Sequence, residues 1–479
     1  MSKRVLILSA GVGSGHNMAG SVIRKFLKAM PEIDQAEVVD VLELSNDAYQ
    51  YLYGKTYFKL VDAVPWLVGW GYDSADPPFK LKKPVAMFDR LNTMGAVKKI
   101  KSFNPDVVVC THFLPARLAA LLQARQVIDA PIFVATTDYD FQGLWLNPPF
   151  SRIFVAREET KAYMEAIGVP ADRLTISGIP VRPLFGEPVD ADAVRRRYDL
   201  DPSKPLLLLS AGAAGGSYTT AVVKQTLRMT SKFQAVVICG HNPGLRTEVE
   251  TLVAGREDDF RVLGYSTDMP DLMRIASLFV GKPGGLSSSE CMAAGLPMVL
   301  IKPIPGQEDR NSDYLLESGA AVKCNYENTI GHKIDEVLAE PGRLARMAAN
   351  ARRIGHPNAA ETVAAAVADD EVPPLWITQE ARESMVAASE AGISVVDLPA
   401  AQRLRTLYHR GSGRSAAVLT EGQLDSLVAQ QAARFGDGTV TISVEDLLSQ
   451  RRWRRSDPDL LHELRRAMGQ ATETTFDLR

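Results

Sequence analysis

The sequence predicts an α/β fold: two doubly wound lobes facing a cleft, followed by a mostly helical C-terminal extension. Three observations carry this. Short, nearly all-apolar runs alternate with helix-length segments: Val5–Ala10, Val107–Thr111, Ile132–Thr136, Leu206–Ser210, Ala235–Cys239, Leu278–Val280 and Met298–Ile301. Runs without polar alternation suit parallel strands buried on both faces. The series of strand, glycine loop and helix starts twice, first at Val5 with Gly11–Gly15 and again at Leu206 with Gly212–Gly216, as two βαβ sheets would. After about residue 370 the texture changes: Lys333 is the last lysine, Pro373-Pro374 marks a break, and Glu421–Phe435 and Asp457–Met468 have helical patterns.

A chain of 479 residues is too long for one hydrophobic core. The expected division is 1–180, 181–370 and 371–479. The stiff link Gly178-Ile179-Pro180-Val181-Arg182-Pro183 leads out of the first lobe. Strand C-termini of two such lobes should line the cleft, where ligands bind in doubly wound sheets.

Composition narrows the function classes. The chain is 46% hydrophobic and 23% charged with a net charge of −3, which argues against a nucleic-acid partner. Its four cysteines, Cys110, Cys239, Cys291 and Cys324, are far apart and form no C-x-x-C pair, so reduced thiols are expected rather than a zinc knuckle or a disulfide framework. The run Val5–Ala10 is too short for a signal peptide, and no stretch approaches the ~18 apolar residues of a membrane span. Any membrane contact is expected to be peripheral, in a cytoplasmic protein.

The first glycine loop ends in His16, beside a helix expected over Asn17–Met30. A helix N-terminus lowers an imidazole pKa and keeps it neutral, as a base requires; on the loop alone, a mere capping or packing role is equally open. The spacing of Gly11, Gly13 and Gly15 partly fits a dinucleotide fingerprint, with Asp40 at roughly the distance of its acidic residue. In the second lobe, Gly281-Lys282-Pro283-Gly284-Gly285-Leu286-Ser287-Ser288-Ser289-Glu290 ends a strand and opens a helix. Its glycines admit a phosphate to the backbone, and free N–H groups with the helix dipole attract the anion without requiring magnesium. Glu290 is placed to accept hydrogen bonds from a ribose or simply to favour the helix start. Ile304-Pro305-Gly306-Gln307-Glu308-Asp309-Arg310-Asn311 delivers a polar cluster to a strand edge, as a hydroxyl-rich ligand needs.

Tyr49 to Tyr72 is rich in aromatics, including Tyr57, Trp66 and Trp70, with Lys55 and Lys59 interleaved and Lys80, Lys82 and Lys83 beyond. Such a stripe is most often core; at a bilayer it would sit at the headgroup level, with lysines drawn to an anionic surface. Asp138-Tyr139-Asp140 has the form D-x-D, yet metal ligation is not the expectation; Asp138 is instead a rival base or a partner that orients His16. Thr111-His112 ends a strand in the same lobe. The run Arg451-Arg452-Trp453-Arg454-Arg455 reads as a solvated helix end.

Gly281–Glu290, with Gly295-Leu296-Pro297 and Gly306-Gln307-Glu308, resembles the donor-binding signature of the MurG-like, inverting GT-B glycosyltransferases. Gly178–Pro183, Ala211-Gly212-Ala213, Cys239-Gly240, Leu263-Gly264-Tyr265 and Lys302–Glu308 look like the diacylglycerol glycosyltransferase branch, the group of monogalactosyldiacylglycerol synthase and processive diacylglycerol glucosyltransferase. The similarity extends over roughly residues 3–365. It implies a UDP-sugar co-substrate, no metal or other cofactor, a lipid acceptor and an anionic membrane surface as partner. Residue by residue, it implies His16 or Asp138 as base. Gly212 and Ala213 would face the donor phosphates, and Gly264 and Tyr265 the uracil. Lys282, Gly284, Gly285 and Ser287 would form the phosphate loop and Glu290 the ribose contact. Gln307, Glu308 and Asn311 would read the sugar. Tyr57, Trp66, Trp70, His112 and Trp145 would lie on the acceptor or membrane side. Many relatives have Gly-Gly-His where this chain has Gly-Ser-Gly-His.

The expected reaction is one displacement at the anomeric carbon, in which a base deprotonates the acceptor hydroxyl and the UDP leaves on the Gly281–Ser287 loop. The alternatives are a UDP-sugar 2-epimerase, a transferase acting on another lipid-linked or small-molecule acceptor, and a non-catalytic lipid- or nucleotide-binding protein.

Overall fold

A computed structural model describes residues 2–13, 15–46, 50, 65–79, 93–210, 212, 218–369, 371–409, 413–426, 441–443 and 475–477. The first sheet is built from β1 (Lys3–Ser9), β2 (Ile33–Asp40), β3 (Val107–Cys110), β4 (Ile132–Ala135), β5 (Arg152–Val155) and β6 (Leu174–Ile176), in the order β2-β1-β3-β4-β5-β6. All its pairings are parallel. The second contains β7 (Leu206–Ser210), β8 (Gln234–Ile238), β9 (Phe260–Leu263), β10 (Leu278–Gly281), β11 (Met298–Ile301) and β12 (Ala321–Cys324), in the order β12-β11-β10-β7-β8-β9, again all parallel.

Both sheets are the doubly wound kind expected, and each reverses its strand order once. That switch falls between β1 and β3 in the first and between β7 and β10 in the second. Loops leaving the carboxyl ends of those strands diverge there, opening a crevice for ligands. The central strands are buried along their length, from Val5 to Leu8, Val107 to Cys110 and Leu206 to Leu209, because helices cover both faces. All four cysteines are buried free thiols.

The chain divides into two compact units; apart from Val61–Gly69, which groups with the second, the first runs to Ser177 and the second begins at Gly178, near the expected 180. The second boundary corrects the expected division. From Glu361 onward the chain returns to the first unit. Leu375, Ile377, Ala381, Met385 and Val418 are buried in the same core as Leu6, Val108 and Ile132. Lys3 Nζ donates to the Ala368 carbonyl, Arg173 to that of Pro373, and Phe150 and Leu375 form a β-bridge.

The extension also departs from the mostly helical expectation. Its described residues include a five-stranded sheet, ordered β13-β15-β14-β17-β16, from β13 (Trp376–Ile377), β14 (Leu404–His409), β15 (Arg414–Thr420), β16 (Thr441–Ser443) and β17 (Thr475–Asp477). The sheet is mixed: β13 pairs parallel with β15, while β14 pairs antiparallel with β15 and β17, and β16 with β17. The helix expected over Asp457–Met468 and the run Arg451–Arg455 lie outside the described residues. No described helix is long and apolar enough to cross a membrane.

Candidate active site

In the first unit the chemistry gathers at the strand-order switch. β1 runs through Gly11 into helix α1 (Gly15–Leu27), with His16 on its first turn. Gly11 is required by close approach: a Cβ there would stand 2.5 Å from Asp40 Oδ2. Asp40, at the end of the neighbouring β2, accepts from Asn17 Nδ2 at 2.8 Å and from the Leu42 amide at 2.9 Å. Its oxygens brace the loop.

His16 Nδ1 lies 3.2 Å from the Thr111 carbonyl and 2.7 Å from Thr137 Oγ1, while Thr111 Oγ1 donates to the His16 carbonyl at 3.1 Å. Thr111 follows β3 and Thr137 follows β4, so three strand ends meet at one imidazole. Burial pushes His16 down to about 4; the Thr111 carbonyl and Asp40 oppose the shift. The ring is therefore neutral at physiological pH.

His112 packs edge-on against His16, with centroids 4.5 Å apart. It caps helix α3 (Phe113–Ala124), its Nδ1 accepting from the Leu114 amide at 3.1 Å. Burial holds it well below the ordinary histidine range, helped by His16 and Arg117. Asp138 Oδ2 accepts from the Trp145 indole at 2.9 Å. Trp145 is only 2% exposed and leans on Phe113 and His112. It is thus an interior anchor for Asp138 and does not face a membrane. The other acid of the D-x-D pairs with Arg157 at 3.4 Å. Among the described residues no group of His, Cys, Asp and Glu is arranged as a metal site.

Helix α2 (Pro65–Ser74) carries Trp66 and Trp70, which are 70% and 65% exposed. Tyr57 lies outside the described residues, as does Ala213 of the second unit.

The second unit repeats the logic at its own switch. β10 turns through Lys282-Pro283-Gly284 into helix α4 (Gly285–Ala294), whose N-cap Gly284 supplies no side-chain cap. The first-turn N–H groups, including that of Ser287, are left for an anion, and the helix dipole adds attraction. Ser288 instead bonds back to the Gly284 carbonyl at 2.6 Å. Lys282 Nζ stands 5.7 Å over the Tyr218 ring. Gly212, after β7, is exposed and donates to Ser210 Oγ at 3.2 Å.

Two residues expected to read the sugar also build the loop. Asn311 is fully buried and donates to the Pro283 carbonyl at 3.1 Å, tying helix α5 (Gln307–Glu317) to the phosphate loop. Glu308 Oε2 accepts from the Ile304 amide at 2.7 Å. Burial raises the Glu308 carboxyl, and that backbone bond and Lys282 oppose it. Gly306, before α5, has φ of +91°, a conformation that excludes most side chains. Glu290 is pushed up to about 7 by burial, against the pull of Arg182.

Sequence reasoning missed Thr137 and His241. His241, just after β8, stacks on Tyr265 with centroids 4.2 Å apart and planes 13° off parallel. Tyr265 is 55% exposed beside Gly264, so the pair forms an open aromatic face. The available signal was polar residues directly following an apolar strand.

The family model described as monogalactosyldiacylglycerol (MGDG) synthase matches residues 16–181, and that for glycosyl transferases group 1 matches residues 219–354. A processive diacylglycerol beta-glucosyltransferase of Bacillus cereus (strain G9842) is 30% identical over 384 residues, covering 78% of this chain and 96% of the relative. The chain belongs to the diacylglycerol glycosyltransferase family. The enzyme of the same name from Bacillus subtilis (strain 168) is 28% identical, covering 76% of this chain and 94% of its own. Family membership makes the protein a hexosyltransferase.

Among solved structures, Acinetobacter baumannii MurG superposes with a TM-score of 0.52 at 17% identity, over 76% of this chain and 99% of that one. UDP-GlcNAc 2-epimerase from Neisseria meningitidis, bound to UDP-GlcNAc, gives 0.51 at 15%, over 77% and 100%. These likenesses show the GT-B fold. Transferase and epimerase share it equally, so the family assignment rests on the sequence relatives.

Proposed function

We propose that this diacylglycerol glycosyltransferase moves a hexose from a UDP-sugar to the hydroxyl of a diacylglycerol-like lipid, with inversion, at the cytoplasmic face of a membrane. The observation that carries the chemistry is the His16 imidazole, neutral at working pH and held through Nδ1 alone among the described residues. Its Nε2 takes the proton from the lipid hydroxyl as the oxygen attacks the anomeric carbon. Curated relatives named diacylglycerol beta-glucosyltransferases support the lipid acceptor and the β product.

The second unit holds the nucleotide-sugar. The uncapped start of α4 and Lys282 receive the diphosphate, the His241–Tyr265 face receives the uracil, and Glu290 receives the ribose. Backbone amides and a lysine stabilise the departing UDP, and we infer that this grip suffices without a divalent cation. Turnover surviving a chelator supports that inference, and its loss contradicts it. Trp66 and Trp70 supply the membrane contact; tryptophan favours the headgroup level.

The deciding experiment supplies labelled UDP-glucose or UDP-galactose with vesicles that contain or lack diacylglycerol. Label passing into lipid only when diacylglycerol is present supports the proposal. An epimerase, whose fold is the same, would instead isomerise the UDP-sugar with no acceptor at all.

A further inference from the structure

Bases of this kind are usually oriented by a carboxylate on the far nitrogen of the imidazole. His16 has two neutral oxygens there: the Thr137 hydroxyl at 2.7 Å and the Thr111 carbonyl at 3.2 Å. A carbonyl only accepts, so that contact is satisfied only when Nδ1 bears the proton; otherwise two lone pairs would face each other. The shorter contact, to the hydroxyl, then completes a bifurcated bond. Charged and titratable groups approach from other elements: Asp40 from the end of β2, the His112 ring from the head of α3, Arg117 behind it, and Asp138 next to Thr137 with the Trp145 indole on its Oδ2.

The geometry points to Thr137 as the positioning residue for His16: the Thr111 carbonyl selects the Nδ1–H tautomer, and the Thr137 hydroxyl holds the ring in that orientation, leaving the lone pair on Nε2. This rests on the proposed function only in taking His16 as the base. The step balances simply. Nε2 gains the proton of the acceptor hydroxyl, the oxygen's electron pair forms the glycosidic bond, and the anomeric carbon–oxygen bond breaks with its electrons on UDP. A hydroxyl partner orients the ring without adding a negative charge. The ring therefore remains unprotonated in the resting enzyme, where a carboxylate would raise its proton affinity.

The test is the imidazole 15N spectrum of the full chain. It holds seven histidines, with the His16 signals assigned by their loss in His16→Gln. The expected result is a single Nδ1–H tautomer in the unaltered protein and in Thr137→Val, where the Thr111 carbonyl still requires it, with the Nδ1 shift changed by the lost hydroxyl and restored in Thr137→Ser. In kinetics, Thr137→Val should lower kcat about tenfold or more with KM for the UDP-sugar unchanged, and Thr137→Ser should recover it. Thr137→Asp should move the acid limb of the pH profile toward neutrality.

An Nε2–H tautomer in the unaltered protein overturns the inference with no variant needed. So does a Thr137→Val variant that keeps its Nδ1 shift and its kcat within about twofold of the original. If that variant fails to fold, as judged by a lost cooperative melt, Thr137→Ala carries the same comparison. Retained transfer in His16→Ala would defeat the base assignment while leaving the tautomer result standing, so the two failures are distinguishable.

Discussion

At the residue scale, burial does more than charge to set the chemistry. His16 is lowered to about 4 because desolvation disfavours the cation. A base of that kind loses activity only where it becomes protonated. The acid limb of kcat/KM that belongs to His16 in the free enzyme is therefore expected near pH 4. An acid limb near 6.5, the ordinary histidine value, would show an exposed ring. His16→Ala should lower kcat by about 10²–10⁴-fold with UDP affinity retained in calorimetry. Glu290 shifts the other way, from 4.5 up to about 7. The folded chain then binds more protons than the unfolded chain between those values, so stability falls as pH rises through that window. Glu290→Gln removes the cost and should raise the melting temperature more at pH 8 than at pH 5. His16 was legible because a histidine directly after a strand and glycine loop sits at a strand end. Thr137 was not, because a threonine after an apolar run looks the same whether it faces solvent or an imidazole. Trp145 was legible only as an acceptor- or membrane-side residue for a related reason: an indole suits a membrane interface and an interior equally, and its burial with its bond to Asp138 puts it in the interior.

At the scale of elements, the phosphate loop is held from behind. Asn311 on α5 grips the Pro283 carbonyl, and Glu308 grips the Ile304 amide. Removing the first tie leaves a buried carbonyl short of a partner, a cost of about 1–3 kcal/mol. Asn311→Ala is expected to lower the chemical-denaturation midpoint and to raise KM for the UDP-sugar about tenfold. The same KM as the parent would restrict Asn311 to structure. Central strands were legible as continuous apolar runs because helices cover both their faces. Edge strands were harder. β2 reads Ile33-Asp34-Gln35-Ala36-Glu37-Val38-Val39-Asp40, half solvent-facing and without a run. β12 likewise exposes Val322 and Lys323 partly, between buried ends. In the extension, Leu404–His409 and Arg414–Thr420 flank Arg410-Gly411-Ser412-Gly413, a turn signal between two strand-length segments. Weighing it would have forecast a hairpin.

At the scale of the whole molecule, the extension is part of the first core. Leu375, Ile377, Ala381, Met385 and Val418 are all buried within it. Burial of each of these side chains except that of Ala381 is worth about 1.5–3 kcal/mol, against a total domain stability of about 5–15 kcal/mol. A chain ended after Asp369 is therefore expected to aggregate or lose its cooperative melt; a truncated enzyme with the parent's melting temperature would refute this. Composition could not foretell the docking, since the change of texture near residue 370 marks a boundary in sequence and not in space. Trp66 and Trp70 both project into solvent from α2, and replacing both with glutamate should lower co-sedimentation with anionic vesicles while leaving UDP affinity intact. The most direct measurement of the central claim is the anomeric configuration of the glycolipid formed from α-linked UDP-glucose and diacylglycerol vesicles, read by proton NMR. A single displacement with His16 as base predicts a β-glucosyl lipid, absent in His16→Ala. An α-linked product, or an isomerised UDP-sugar with no glycolipid, would contradict it.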